Sequence, residues 1–153
     1  ILQINPQQII KTRSGLEQLG FEFIDTTPVM QLAKSKHPVP VRVVKWYKQQ
    51  ALPHFTARVH HYAAMLGVPK PHVILSSANT RWGSCSHKGE IRLSWRLLKA
   101  PQHLIDYVVA HEVAHLKEMN HSPAFWQTVA VLYPEYIQAR KELEQLEPRY
   151  RTF

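Results

Sequence analysis

Apolar positions along the chain fall into four stretches of helical spacing and three short strand-like runs. Between residues 41 and 66, Val44, Leu52, Phe55, Val59, Tyr62 and Leu66 recur near helical intervals. This predicts a long helix with one buried face. Pro53 is expected to kink or divide it, because proline lacks an N–H and crowds the preceding turn. Gly67 supplies a stop. A second helix is expected from Pro101 to about Glu118, with Leu104, Val108, His111 and His115 on one face. A last helical region runs from Pro123 to about Glu147 and should break at Pro134. His72–Leu75 and Ile91–Trp95, rich in branched and aromatic residues, predict strands. Arg81–Ser86 and a Lys88-Gly89 turn lie between them.

Residues 1–38 are harder to read. Gln7–Leu19 has the spacing of a short helix, and Phe21–Ile24 that of a short strand. Pro28, Pro38 and Pro40 then mark a linker. The chain therefore divides into an N-terminal extension, 1–38, and an α+β domain, 39–153.

Composition narrows the class. No apolar run approaches the roughly eighteen residues of a membrane helix. Cys85 is the single cysteine, which excludes a secreted disulfide scaffold and favours the cytoplasm. Residues 1–100 carry fourteen Lys/Arg against four Asp/Glu, and residues 101–153 carry five against seven. A basic front two-thirds can attract nucleic acid or an acidic substrate. Its cations are scattered singly, however, as on any solvated helix face.

The strongest chemical signal is His111-Glu112-Val113-Ala114-His115. Histidines four apart lie one turn up the same helix face, so their rings can converge on one ion. Neutral imidazole suits Zn²⁺. Glu112 projects beside that face, where a carboxylate can take a proton from an attacking water. Buried histidines can equally be plain hydrogen-bonded core residues, but a third histidine argues against that. His121 lies six positions on, after Asn120, a residue tolerant of the left-handed turn that ends helices. A helix stopping near Met119 would let His121 fold back, leaving a three-ligand site with one open position. Glu135 or Glu142 from a following helix is the rival third ligand, and His121 is favoured because it needs only one tight turn.

HEVAHLKEMNHSPAFW (111–126), RWGSCSHKGEIRLSWRLLKAP (81–101) and the helix around Trp46-Tyr47-Lys48 together resemble the YgjP-like metallopeptidases, relatives of the SprT-like and WLM zinc proteases. The resemblance covers roughly residues 41–147; the strand-rich segment usual at the family's front has no recognisable counterpart in residues 1–38. It implies a compact zincin-like fold in which a small sheet packs on the HExxH helix. It also implies one Zn²⁺ per chain held by His111, His115 and His121, Glu112 as general base, and a peptide or protein substrate.

Strand Ile91–Trp95, which contains Ser94, is the candidate to pair with extended substrate. Arg81 is suited to a carboxylate or a polarised carbonyl. Trp82 is either a substrate contact or the packing under a tight turn. Cys85 reads as a small buried side chain, Trp126 as packing that anchors the turn, and Tyr133 and Tyr136 as core residues or oxyanion donors. Two other classes stay open: a DNA-associated protease of SprT-like type, and a non-catalytic module with structural zinc.

Overall fold

The structure, a computed structural model, describes residues 22–23, 30–31 and 39–151. The chain divides into two compact units, Ile1–Trp46 and Tyr47–Phe153. In the first, β1 (Glu22–Phe23) pairs antiparallel with β2 (Met30–Gln31). The expected helix at 7–19 lies outside the described residues.

Helix α1 runs unbroken from Val39 to Leu66 and carries Pro53 inside it. Proline costs a helix one hydrogen bond and some crowding, and tertiary packing outweighs that here. Ala51, Phe55, Val59, Tyr62 and Ala63 are all at most 5% exposed. The buried stripe thus passes through Ala51, whereas Leu52 faces outward at 40% exposure. Each large side chain so buried stabilises the fold by roughly 1.5–3 kcal/mol. Gly67 ends the helix at φ +73°. The N–H groups of Gly67 and Val68 return to the carbonyls of Ala64 and Ala63, each at 3.1 Å, a glycine-closed Schellman motif.

Three strands follow: β3 (Val73–Ser76), β4 (Gly83–Cys85) and β5 (Ile91–Ser94). Their order is β3-β5-β4. β5 runs parallel to β3 and antiparallel to β4. Two expectations change. The segment 83–85, expected as loop, is a strand, and Ile91–Ser94 lies in the centre of the sheet with both edges already paired. The tight turn between β4 and β5 needs Gly89, whose φ is +78°. Trp95–Lys99 form a 3₁₀ turn, so Trp95 leaves the strand. Its indole is 2% exposed and tilts against Tyr47 at 5.9 Å.

Helix α2 (Gln102–Ala114) is buried along most of its length, as an element covered on several sides must be. It packs on β4, on α3 (Pro123–Leu132) and on α4 (Tyr136–Arg151). The break at Pro134 falls between α3 and α4. No helix among the described residues is long and apolar enough to cross a membrane. The architecture is α+β, with α2 packed on the small sheet through β4 and on helices α3 and α4.

Candidate metal centre

Helix α2 stops at Ala114, earlier than its periodicity suggests. The chain tightens there: the N–H groups of Leu116 and Lys117 bond the carbonyls of Val113 and Ala114 at 3.0 and 3.1 Å. His115 caps the helix, and its Nδ1–H donates to the Glu118 carbonyl at 3.0 Å. A carbonyl only accepts, so the proton sits on Nδ1 and the lone pair of Nε2 is left for an ion. Beyond the reversal, Ser122 caps α3 by accepting the Phe125 N–H at 3.3 Å, with Pro123 in the first turn. That Ser-Pro start fixes His121 immediately ahead of a helix.

The two local devices bring the three histidines together. Their ligand atoms all lie within 4.8 Å of one another, and the Nε2 atoms of His111 and His121 are 3.3 Å apart. Among the described residues Glu135 and Glu142 are not part of the cluster; Glu142 accepts from His103 at 2.8 Å instead. Phe125, fully buried, floors the group. It stacks on the His115 ring at 4.4 Å and meets the His111 and His121 rings at 4.9 Å. Burial drives the His111 pKa down to about 3, helped by the neighbouring histidines and Arg140. His115 is lowered too, chiefly by burial and against the pull of its Glu118 bond. Neutral imidazoles are what a divalent metal ion requires of such ligands.

Glu112 is 6% exposed and lies against the start of β4. A Cβ on Gly83 would stand 2.9 Å from Glu112 Cγ and 3.0 Å from Oε1, so glycine is needed there for close approach. Burial raises the Glu112 pKa to about 8, and Arg81 opposes the rise. Arg81, exposed at the entry to β4, thus sits within electrostatic reach of the carboxylate.

Ser94 is buried away from the surface, and of the two readings for Trp82 its burial favours packing. Ser94 is 1% exposed; its hydroxyl donates to the Ala78 carbonyl at 2.9 Å and caps the 3₁₀ turn. Trp82 is 9% exposed, and its carbonyl accepts the Ser94 N–H at 2.8 Å. Neither side chain has surface to offer a substrate. With Arg96, which donates to the Ser77 carbonyl at 2.8 Å, Ser94 pins the 77–82 loop that delivers Arg81. Neither Tyr133 nor Tyr136 lines the groove beside the histidines. Tyr107, Trp126 and Arg140 do, with His111 and His121. Tyr107 and Arg140 went unnoticed in the sequence, since neither lies in a recognisable motif.

Cys85 stays outside the ligand cluster. Burial, then Glu112, pushes its thiol from 9.0 to about 11. Because the thiolate is the nucleophile, alkylation of Cys85 by iodoacetamide at pH 8 should run roughly 100-fold slower than for a thiol of pKa 9.0. Mass spectrometry of timed samples checks this, and a rate matching free cysteine would show that the environment is not so desolvated.

The sequence profile described as "YgjP-like, metallopeptidase domain" matches residues 9–146. The chain belongs to the YgjP-like metallopeptidase family. The match opens well ahead of the Trp-Tyr helix and takes in most of residues 1–38, where the motifs alone gave no counterpart. The YgjP-like chain also matches a solved structure, the metallopeptidase zymogen of Pyrococcus abyssi abylysin. Identity is 26%, the TM-score is 0.54, and the match covers 62% of this chain and 93% of that one. A curated relative, the UTP pyrophosphatase of Escherichia coli (strain K12), is 39% identical over 56 residues. That stretch is 37% of this chain and only 34% of that protein.

Proposed function

We propose that this metal-dependent hydrolase is a cytoplasmic zinc peptidase, with His111, His115 and His121 as ligands and Glu112 as general base. One observation carries the reading: three imidazoles converge beside a buried carboxylate and an edge strand. The spacing suits zinc. Tetrahedral Zn–N bonds of about 2.0–2.1 Å put neighbouring nitrogens about 3.3 Å apart, as found between His111 and His121. Three protein ligands leave a fourth position for substrate or water.

A zinc ion held there supplies Lewis acidity to the scissile carbonyl. Glu112 takes a proton from the attacking water and passes it to the leaving amine. Gly83, lacking a Cβ, lets the backbone of β4 lie close against the Glu112 side chain. Since β5 is central, the outer edge of β4 takes its place as the strand for extended substrate; among the described residues no strand covers it. Main-chain pairing along that edge would carry a peptide past Glu112, with Arg81 able to fork onto a carbonyl or carboxylate.

The relative named UTP pyrophosphatase favours a second reading, in which the same centre cleaves a phosphoanhydride. The zinc-loaded protein should be incubated in parallel with a denatured protein mixture and with UTP, and the products read by mass spectrometry. New peptide termini that fail to appear in Glu112→Gln are the expected result. UTP hydrolysis without new termini would replace the peptidase reading with the second one.

A further inference from the structure

A groove of about 460 Å³ near Lys70 and Lys88 is lined by surface groups, whereas a second, of about 380 Å³, opens directly onto the metal centre. Tyr107, His111, His121, Trp126 and Arg140 line it. Among the described residues Arg140 is its single cation, and it comes from α4. An arginine on an exposed helix is commonly just a solvated charge. This one is held. Its guanidinium carbon lies 5.1 Å over the Trp126 ring, and Trp126 stacks on Tyr136 at 5.5 Å. The Nε–H donates to Glu144 at 3.3 Å. Stacking sets the guanidinium plane and Glu144 tethers one edge; among the described residues the two terminal nitrogens have no acceptor.

The electrostatics of that arrangement are unusual. Imidazole ligands bring no negative charge to a divalent ion, and among the described residues none that lines the groove is acidic. A divalent ion and the Arg140 guanidinium, which is 54% exposed and paired with Glu144 on one edge only, would both offer positive charge to an anion lying between them. We propose that Arg140 is a specificity residue, holding an oxyanion of the substrate next to the bond to be cut. A peptide carboxylate and a nucleotide phosphate both offer the pair of oxygens that a guanidinium fork matches. The inference rests on the metal-dependent hydrolase reading and adds to it that the substrate is anionic on the α4 side.

The test is calorimetric, with zinc-loaded full-length chain carrying Glu112→Gln so that no probe is consumed. One probe is a short peptide with a free C-terminal carboxylate, compared with its amidated form; the other is inorganic pyrophosphate. Arg140→Gln, which keeps good helix propensity, should weaken the recognised anion about tenfold or more, as loss of a charged hydrogen bond does. Arg140→Lys should recover part of that, and zinc content should stay unchanged. Loss confined to the peptide acid identifies a carboxylate, and loss confined to pyrophosphate identifies a phosphate. Unchanged affinities in Arg140→Gln, or no binding of either anion by the Arg140 protein, overturn the inference. Zinc content separates the two levels: normal uptake with no Arg140 effect removes this proposal alone, while a chain that takes up no zinc removes the reading beneath it.

Discussion

Glu112→Gln should bind zinc as tightly as the unaltered protein and lose hydrolysis by about 10²- to 10⁴-fold, the usual worth of a positioned general base. The amide has the shape of the carboxylate, so it fits the close approach to Gly83, but it cannot accept the proton. The same variant has a second signature, in stability. Burial raises the Glu112 pKa from 4.5 to about 8, so the folded state prefers the protonated acid. The stability this contributes is fully present below the ordinary carboxylate pKa and is lost as pH rises through about 8. The glutamine variant has no such proton to lose. Melting curves of the two metal-free proteins should therefore lie close together at pH 5 and separate at pH 9, with Glu112→Gln the more stable. A variant that keeps its rate would remove Glu112 from the chemistry. One that loses zinc would instead make Glu112 a support of the ligand helix.

Legibility followed the range of the interactions concerned. The centre could be read because its parts are local. Two histidines one turn apart, a helix end, and a Ser-Pro start that presents His121 all fall within residues 111–123. Stops at Gly67 and Pro134 were legible for the same reason, being set by single-residue backbone geometry. Which strand lies at the edge was not, because the order β3-β5-β4 depends on pairings that no strand encodes alone. Ile91–Ser94 is the more apolar of the strand segments near the metal helix because it is the central one, and a central strand has no free edge for substrate. The inward face of α1 differs from the expected one by one position, since Leu52 is more apolar than Ala51 but it is Ala51 that is buried. Arg140 and Tyr107 lie 33 positions apart on different helices and meet only through packing. An arginine stacked on a tryptophan fourteen residues earlier leaves no spacing rule to find.

His121→Ala is expected to weaken zinc by at least about 100-fold, more than the 10- to 100-fold that loss of a mere supporting group costs. Two ligands from α2 would remain, with the third corner open to water. The metal-free fold should hardly notice. His121 is exposed and sits in a turn that is secured by the Ser122 cap and by the Ser122 N–H on the Asn120 carbonyl at 2.8 Å. His111→Ala, by contrast, should lower both zinc affinity and metal-free stability, because His111 packs among Phe125, Trp126 and Tyr107. Chelator competition gives the affinities and thermal melting of the zinc-free proteins gives the stabilities. The pair of measurements distinguishes a ligand from a packing residue, which affinity alone does not. Were a glutamate of α4 or its approach the true third ligand, His121→Ala would keep its zinc and Glu135→Gln or Glu142→Gln would lose it. The structure weighs against that outcome on simple grounds: Glu142 is already engaged by His103, and among the described residues the metal-ligating side chain clustered with His111 and His115 is His121, brought there by a tight, capped reversal.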